Sequence, residues 1–107
     1  MSAPMLKKID QEVKSTPILM YIKGDKEMPM CGFSARVLQI FDTFNVPFET
    51  RNVLADEDLR NSIKEYTNWP TIPQIFINGE FIGGCDIVTE MFEAGELTPL
   101  VQKATNK

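Results

Sequence analysis

Two thiols and no histidine set the chemistry open to this 107-residue chain. Without imidazole there is no His–Cys or Ser–His–Asp catalysis, no histidine metal ligand and no histidine pH switch. A nucleophile here must be activated by its place in the fold, by a lysine or by a metal. Cys31 stands in Cys31-Gly32-Phe33-Ser34, at the start of a helical apolar pattern. The unpaired N–H groups and positive dipole end of a helix N-terminus favour thiolate over thiol. Lys23 adds a positive charge within reach, and Gly32 allows a partner close to the backbone. The plain alternative is a small buried cysteine that only packs. Three positions on, where a dithiol motif carries its second cysteine, stands Ser34. A serine cannot resolve a mixed disulfide, so Cys31 has no local two-thiol cycle. Cys85, with 53 residues between, is open either as a resolving thiol or as a packing or ligand-contact residue.

Other residues suit a small charged ligand. Arg60 and Lys64 lie one helical turn apart and project on one side of their helix. With Lys23 they could hold the carboxylates of a small acidic ligand. The alternative, and the commoner fate of such residues, is solvated charge paired with Glu57 or Glu65. Asp86 caps a helix or receives a ligand ammonium, the cap being the simpler reading. In Thr71-Ile72-Pro73 a cis proline would expose the N–H and C=O of Ile72 to an extended peptide. From the residues alone the trans form is expected, since few X–Pro bonds in folded proteins are cis. Met28 and Met30, flanking Pro29, read as loop and rim contacts rather than thioether ligands.

Composition bounds the rest. Eleven basic and fifteen acidic residues leave a net charge of −4, which argues against general affinity for nucleic acid or anionic membranes. Two cysteines are too few for a disulfide scaffold or an in-chain four-cysteine metal site. No apolar run approaches the roughly 20 residues that span a bilayer. The first residues, with Lys7, Lys8, Asp10 and Glu12, lack a signal-peptide core. A reducing compartment is the default, the cytoplasm being the natural reading and a processed organellar form looking the same.

No repeat or linker interrupts the chain, so residues 1–107 read as a single domain. Leu6, Ile9 and Val13 give a first helix ending near Ser15; residues 18–22, apolar throughout, suit a central strand. Val37, Leu38, Phe41 and Phe44 mark a second helix stopped near Asn45, and a strand follows over residues 48–53. Asp56 caps a third helix with Leu59, Ile63 and Tyr66 inside. Asn78-Gly79 turns a hairpin between residues 74–78 and Phe81-Ile82. Ile87, Val88, Met91 and Phe92, then Leu97, Leu100, Val101 and Ala104, give two last helices parted by Gly95. The strand–helix–strand start demands a parallel pair, and the hairpin adds antiparallel strands. This order predicts an α/β chain with a small mixed four-stranded sheet and helices on both faces. A cysteine at the first strand-to-helix junction makes it thioredoxin-like.

Together, Lys23-Gly24, Cys31-Gly32-Phe33-Ser34, Trp69-Pro70-Thr71-Ile72-Pro73-Gln74 and the stretch from Asn78-Gly79 through Gly83-Gly84-Cys85-Asp86 closely resemble the single-domain monothiol glutaredoxins of the CGFS type. The resemblance covers nearly the whole chain. It implies a thioredoxin fold with Pro73 cis, against the expectation from the residues alone. It further implies a glutathione site, with Cys31 as reactive thiolate and cluster ligand. In it, Lys23, Arg60 and Lys64 meet the carboxylates, and the Ile72 backbone, at Pro73, pairs with the tripeptide. Cys85 and Asp86 contact the γ-glutamyl end. One departure is Asp25-Lys26, where the family usually has a small hydroxyl residue and then proline. Asp25 brings a negative charge beside the thiolate loop, opposing activation, with Lys26 as an offset.

Family behaviour and cysteine count point to one leading expectation. A 2Fe-2S cluster usually takes four thiolate or similar ligands. Cys31 of two chains and two glutathiones make four, so the cluster bridges a homodimer and passes to apo iron–sulfur recipients. The alternative is a glutathione-dependent thiol–disulfide oxidoreductase, removing glutathione from mixed disulfides with Cys31 as nucleophile. A third class is an adaptor domain indifferent to Cys31. The family's link to BolA-type proteins adds a protein partner.

Overall fold

The computed structural model describes residues 3–105. In chain order these form α1 (Ala3–Ser15), β1 (Ile18–Ile22), α2 (Gly32–Asp42), β2 (Glu49–Asn52) and a 3-10 turn (Val53–Ala55). Then come α3 (Glu57–Thr67), β3 (Gln74–Ile77), β4 (Glu80–Gly83), α4 (Cys85–Glu93) and α5 (Leu97–Thr105). The sheet order is β2-β1-β3-β4, with β1 and β2 parallel and the other neighbours antiparallel. This is the thioredoxin-like mixed sheet that the order of elements predicts.

Alternation along β1 decides which helices cover which face. Ile18, Met20 and Ile22 pack with Val37, Leu38 and Phe41 of α2, Val88 of α4, and Leu97 and Val101 of α5. Leu19 and Tyr21 turn the other way, against Ile9 and Val13 of α1 and Ile63 of α3. All five residues of β1 are buried, so the strand serves both cores. Each such side chain contributes roughly 1.5–3 kcal/mol when taken fully out of water. The Tyr21 hydroxyl donates to Glu12 at 3.2 Å, and burial together with that carboxylate keeps the phenol protonated far above its ordinary range.

Several boundaries differ from the apolar pattern. Phe44 lies beyond α2 and Phe48 just before β2, yet both rings pack on Phe41, each with centroids 6.1 Å apart. Val53 leaves the strand for the 3-10 turn because the Asn52 side chain accepts from the Leu54 N–H at 2.9 Å and bends the backbone. Asp56 does cap α3, accepting from the Leu59 N–H at 3.2 Å. Asp86 does not cap α4: Gly84 holds the N-cap position and Asp86 stands in the first turn.

Candidate functional site

Lys23 directly follows the C-terminal end of β1, and a short closed loop carries the chain from there to Cys31. Asp25 shapes this loop with its carboxylate, which accepts from the N–H groups of Glu27 at 3.1 Å and Met28 at 2.8 Å. Backbone bonds from Met30 to Lys23 at 2.8 Å and from Asp25 to Met28 at 3.2 Å close it. Gly24 has φ +97°, and a Cβ there would collide with the Met28 carbonyl and lie 2.7 Å from the Met30 nitrogen. Lys26 points elsewhere: its ammonium donates to the Phe48 carbonyl and sits 4.5 Å from the centre of that ring. The Asp25 carboxylate is thus turned to the N–H groups of its own loop, and the largest influences on Cys31 are burial, the Ser34 and Phe33 N–H groups, the Ser34 hydroxyl and Lys23.

Cys31 is the N-cap residue of α2, in extended conformation. Burial pushes its thiol up. The N–H groups of Ser34 and Phe33, the Ser34 hydroxyl and the Lys23 charge together outweigh burial, and the thiol lies below its ordinary value. Ser34 is fully buried, and its oxygen accepts from the Lys23 N–H at 3.1 Å. Its own proton is therefore available to the sulfur. The residue that replaces a second thiol is part of what lowers the pKa of the first.

Across from Cys31 runs the stretch from Trp69 to Pro73, with the Ile72–Pro73 peptide cis. The cis form agrees with the resemblance and corrects the trans expectation drawn from the residues alone. The third side is the start of α4, where Cys85 Sγ lies 4.0 Å from Thr89 Oγ1 and Asp86 is exposed. Between these sides lies an open cleft of about 390 Å³. Lys23, Cys31, Lys64, Ile72, Pro73, Cys85 and Asp86, all anticipated, line it. Arg60 does not; its Nε is buried without a hydrogen-bond partner among the described residues.

Sequence reasoning missed other lining residues: Phe33, Trp69, Pro70, Thr71, Gly84 and Ile87. Gly84 carried a signal, because a Cβ there would sit 3.2 Å from the Pro73 carbonyl and 3.5 Å from Trp69 Nε1. A side chain at this position would crowd the Pro73 carbonyl, so glycine suits the close approach of α4 to the proline. Trp69 packs edge-on against Phe81 at 5.8 Å, and its indole nitrogen is buried without a hydrogen-bond partner among the described residues. Ile87 carried no signal, since its helical spacing marks it as core. Phe33, Met28 and Met30 are 62%, 67% and 63% exposed, so an apolar rim borders the thiol.

Chemically, the site offers a thiol of lowered pKa beside a cleft with two cations, one carboxylate and an open stretch of backbone. Residues 18–82 match the Glutaredoxin family. A monothiol glutaredoxin of Synechocystis, ycf64-like and itself uncharacterized, is 50% identical over 97 residues, covering 91% of each chain. The solution structure of reduced apo GrxS14 from poplar superposes with a TM-score of 0.84 at 45% identity, covering 98% of this chain and 97% of that one. A buckwheat glutaredoxin–glutathione complex superposes with a TM-score of 0.82 at 29% identity, covering 97% and 96%. With Ser34 in place of a second thiol and these relatives across nearly its whole length, the chain belongs to the glutaredoxin family, among its monothiol members.

Proposed function

We propose that this protein receives a 2Fe-2S cluster, holds it with glutathione as co-ligand, and passes it to apo-proteins. One observation carries the reading: a thiolate-favouring Cys31 opens on a cleft built for a short acidic peptide. Glutathione has two carboxylates, one ammonium and a peptide edge. Lys23 and Lys64 match the carboxylates, with Arg60 one turn further along α3, and Asp86 matches the ammonium. The Ile72 backbone beside Pro73 suits the peptide edge, and Cys85 flanks it. The buckwheat neighbour, solved as a glutathione complex, supports the same ligand class.

Among the described residues no group of three or more Cys, Asp or Glu side chains is arranged to hold a metal. One chain therefore contributes the Cys31 sulfur and one glutathione a second. A second copy completes the four ligands that such a cluster takes, making the loaded form a homodimer. Transfer is ligand exchange: recipient thiolates replace Cys31 and glutathione on iron, and the cluster keeps its electrons. The apolar rim of Met28, Met30 and Phe33 suits contact with a recipient or a BolA-type partner. A reducing compartment such as the cytoplasm keeps Cys31 competent.

Anaerobic incubation with iron, sulfide and glutathione tests the proposal. It predicts a visible chromophore that requires both glutathione and Cys31 and that moves to an apo-ferredoxin-type acceptor. A chromophore retained in Cys31→Ser, or none at all, contradicts it. Absence of a cluster with robust Cys31-dependent turnover of a glutathione mixed disulfide would support the oxidoreductase instead.

A further inference from the structure

The side of the cleft facing Cys31 is irregular backbone, and one buried side chain holds it. Gln74 opens β3, opposite Tyr21, and is fully buried. Alternation along β3 turns it, like Phe76, toward α3. Its Oε1 accepts from Thr67 Oγ1 at 2.8 Å. Its Nε2 donates to the Trp69 carbonyl at 2.9 Å and the Thr71 carbonyl at 3.2 Å. Two carbonyl partners fix the orientation of the amide, because only its NH2 end can donate to both. The Trp69 N–H is taken by the Lys64 carbonyl at 3.1 Å. Ile72, which lines the cleft, makes no backbone hydrogen bond among the described residues.

We infer that Gln74 is a positioning residue for ligand binding: by taking the Trp69 and Thr71 carbonyls it leaves the Ile72 peptide as the edge free to pair with an extended tripeptide. The inference rests on the glutathione reading and adds to it a residue that touches no ligand. Asparagine is too short to span from Thr67 to both carbonyls. Glutamate keeps the shape, but ionised it repels both carbonyl oxygens, and protonated it can donate to only one of them.

The test is an NMR titration of the reduced apo-protein with reduced glutathione, for wild type, Gln74→Glu, Gln74→Met and Thr67→Val. Gln74→Glu and Gln74→Met are expected to weaken binding about tenfold, and Thr67→Val, which removes one of the three Gln74 contacts together with the Thr67 bond to the Ile63 carbonyl, about threefold. The pH midpoint for alkylation of Cys31 is expected to stay at its wild-type position, because its activating groups lie on the opposite side. General damage to the fold would move it. Binding by Gln74→Glu and Gln74→Met within twofold of wild type, or a Cys31 midpoint that shifts with the affinity, overturns the inference. Wild-type protein that takes up no glutathione defeats the ligand reading instead. Amide exchange at Thr71 and Ile72 then decides the role of Gln74: faster in the variants if it holds this segment, unchanged if it does not.

Discussion

The sulfur of Cys31 sits under opposing influences. Burial raises its pKa, and a set of small local donors around Ser34, with the Lys23 charge, holds it below the ordinary thiol value. Removing one donor should be felt. In a Cys85→Ser background, the iodoacetamide rate is expected to rise with pH around a midpoint below the ordinary thiol value of about 8.5. Ser34→Ala is expected to move that midpoint up, and an unchanged midpoint would remove the hydroxyl from the account. The same depression has a sign in stability. The unfolded thiol binds its proton more tightly, so stability relative to Cys31→Ser rises as pH climbs from the folded midpoint to the ordinary thiol value. It is lost again as pH falls through the folded midpoint. At this scale Cys31 and Lys23 were legible, because helix-start chemistry is local, whereas Ser34 read only as a missing second thiol and not as a donor to the first. The role of Asp25 was not. A carboxylate near a thiolate reads as a charge, whereas its short side chain spends itself on two turn N–H groups.

Elements place those residues, and their ends matter more than their middles. The loop between β1 and α2 hangs on Asp25, so Asp25→Ala is expected to speed exchange of the Met28 amide about fivefold. Asp25→Ser, able to form the same turn, should restore protection; equal exchange in all three proteins would refute the loop's dependence on this side chain. The cap on α3 is a separate case. Asp56→Ala is expected to cost about 1 kcal/mol in urea unfolding at unchanged m-value. Apolar periodicity located all the helices and strands but misplaced their ends near aromatics. Phe44 and Phe48 fall at plausible spacings for α2 and β2, yet their packing on Phe41 needs neither to be inside the element. The cap of α4 went astray for a related reason: Asp86 has the right chemistry, but the N-cap falls two residues earlier, at Gly84, where a side chain would crowd the Pro73 carbonyl.

The whole molecule is one sheet with a core on each face, and the cleft lies where segments distant in sequence meet. Phe76 ties the α3 face together through Tyr21, Tyr66 and Phe81, with ring centroids 5.8, 6.1 and 5.4 Å away. Phe76→Ala is expected to destabilise the fold by about 3–5 kcal/mol, read from the urea midpoint. Assembly at this scale was legible only through motifs. Spacing could not say whether Cys85 comes near Cys31; the fold brings both to one cleft. Nor could it separate Arg60 from Lys64, which share a helix side although only Lys64 lines the cleft. Trp69 and Gln74 were visible as punctuation around a proline, while their work depends on contacts with α3 and α4 that no local pattern encodes. On the proposed reading one chain and its glutathione together supply only half of a cluster's four ligands. Native mass spectrometry of anaerobically reconstituted protein tests it most directly. The predicted mass is that of two chains, one 2Fe-2S cluster and two glutathiones; a single chain retaining a cluster, or a loaded dimer without glutathione, would contradict it.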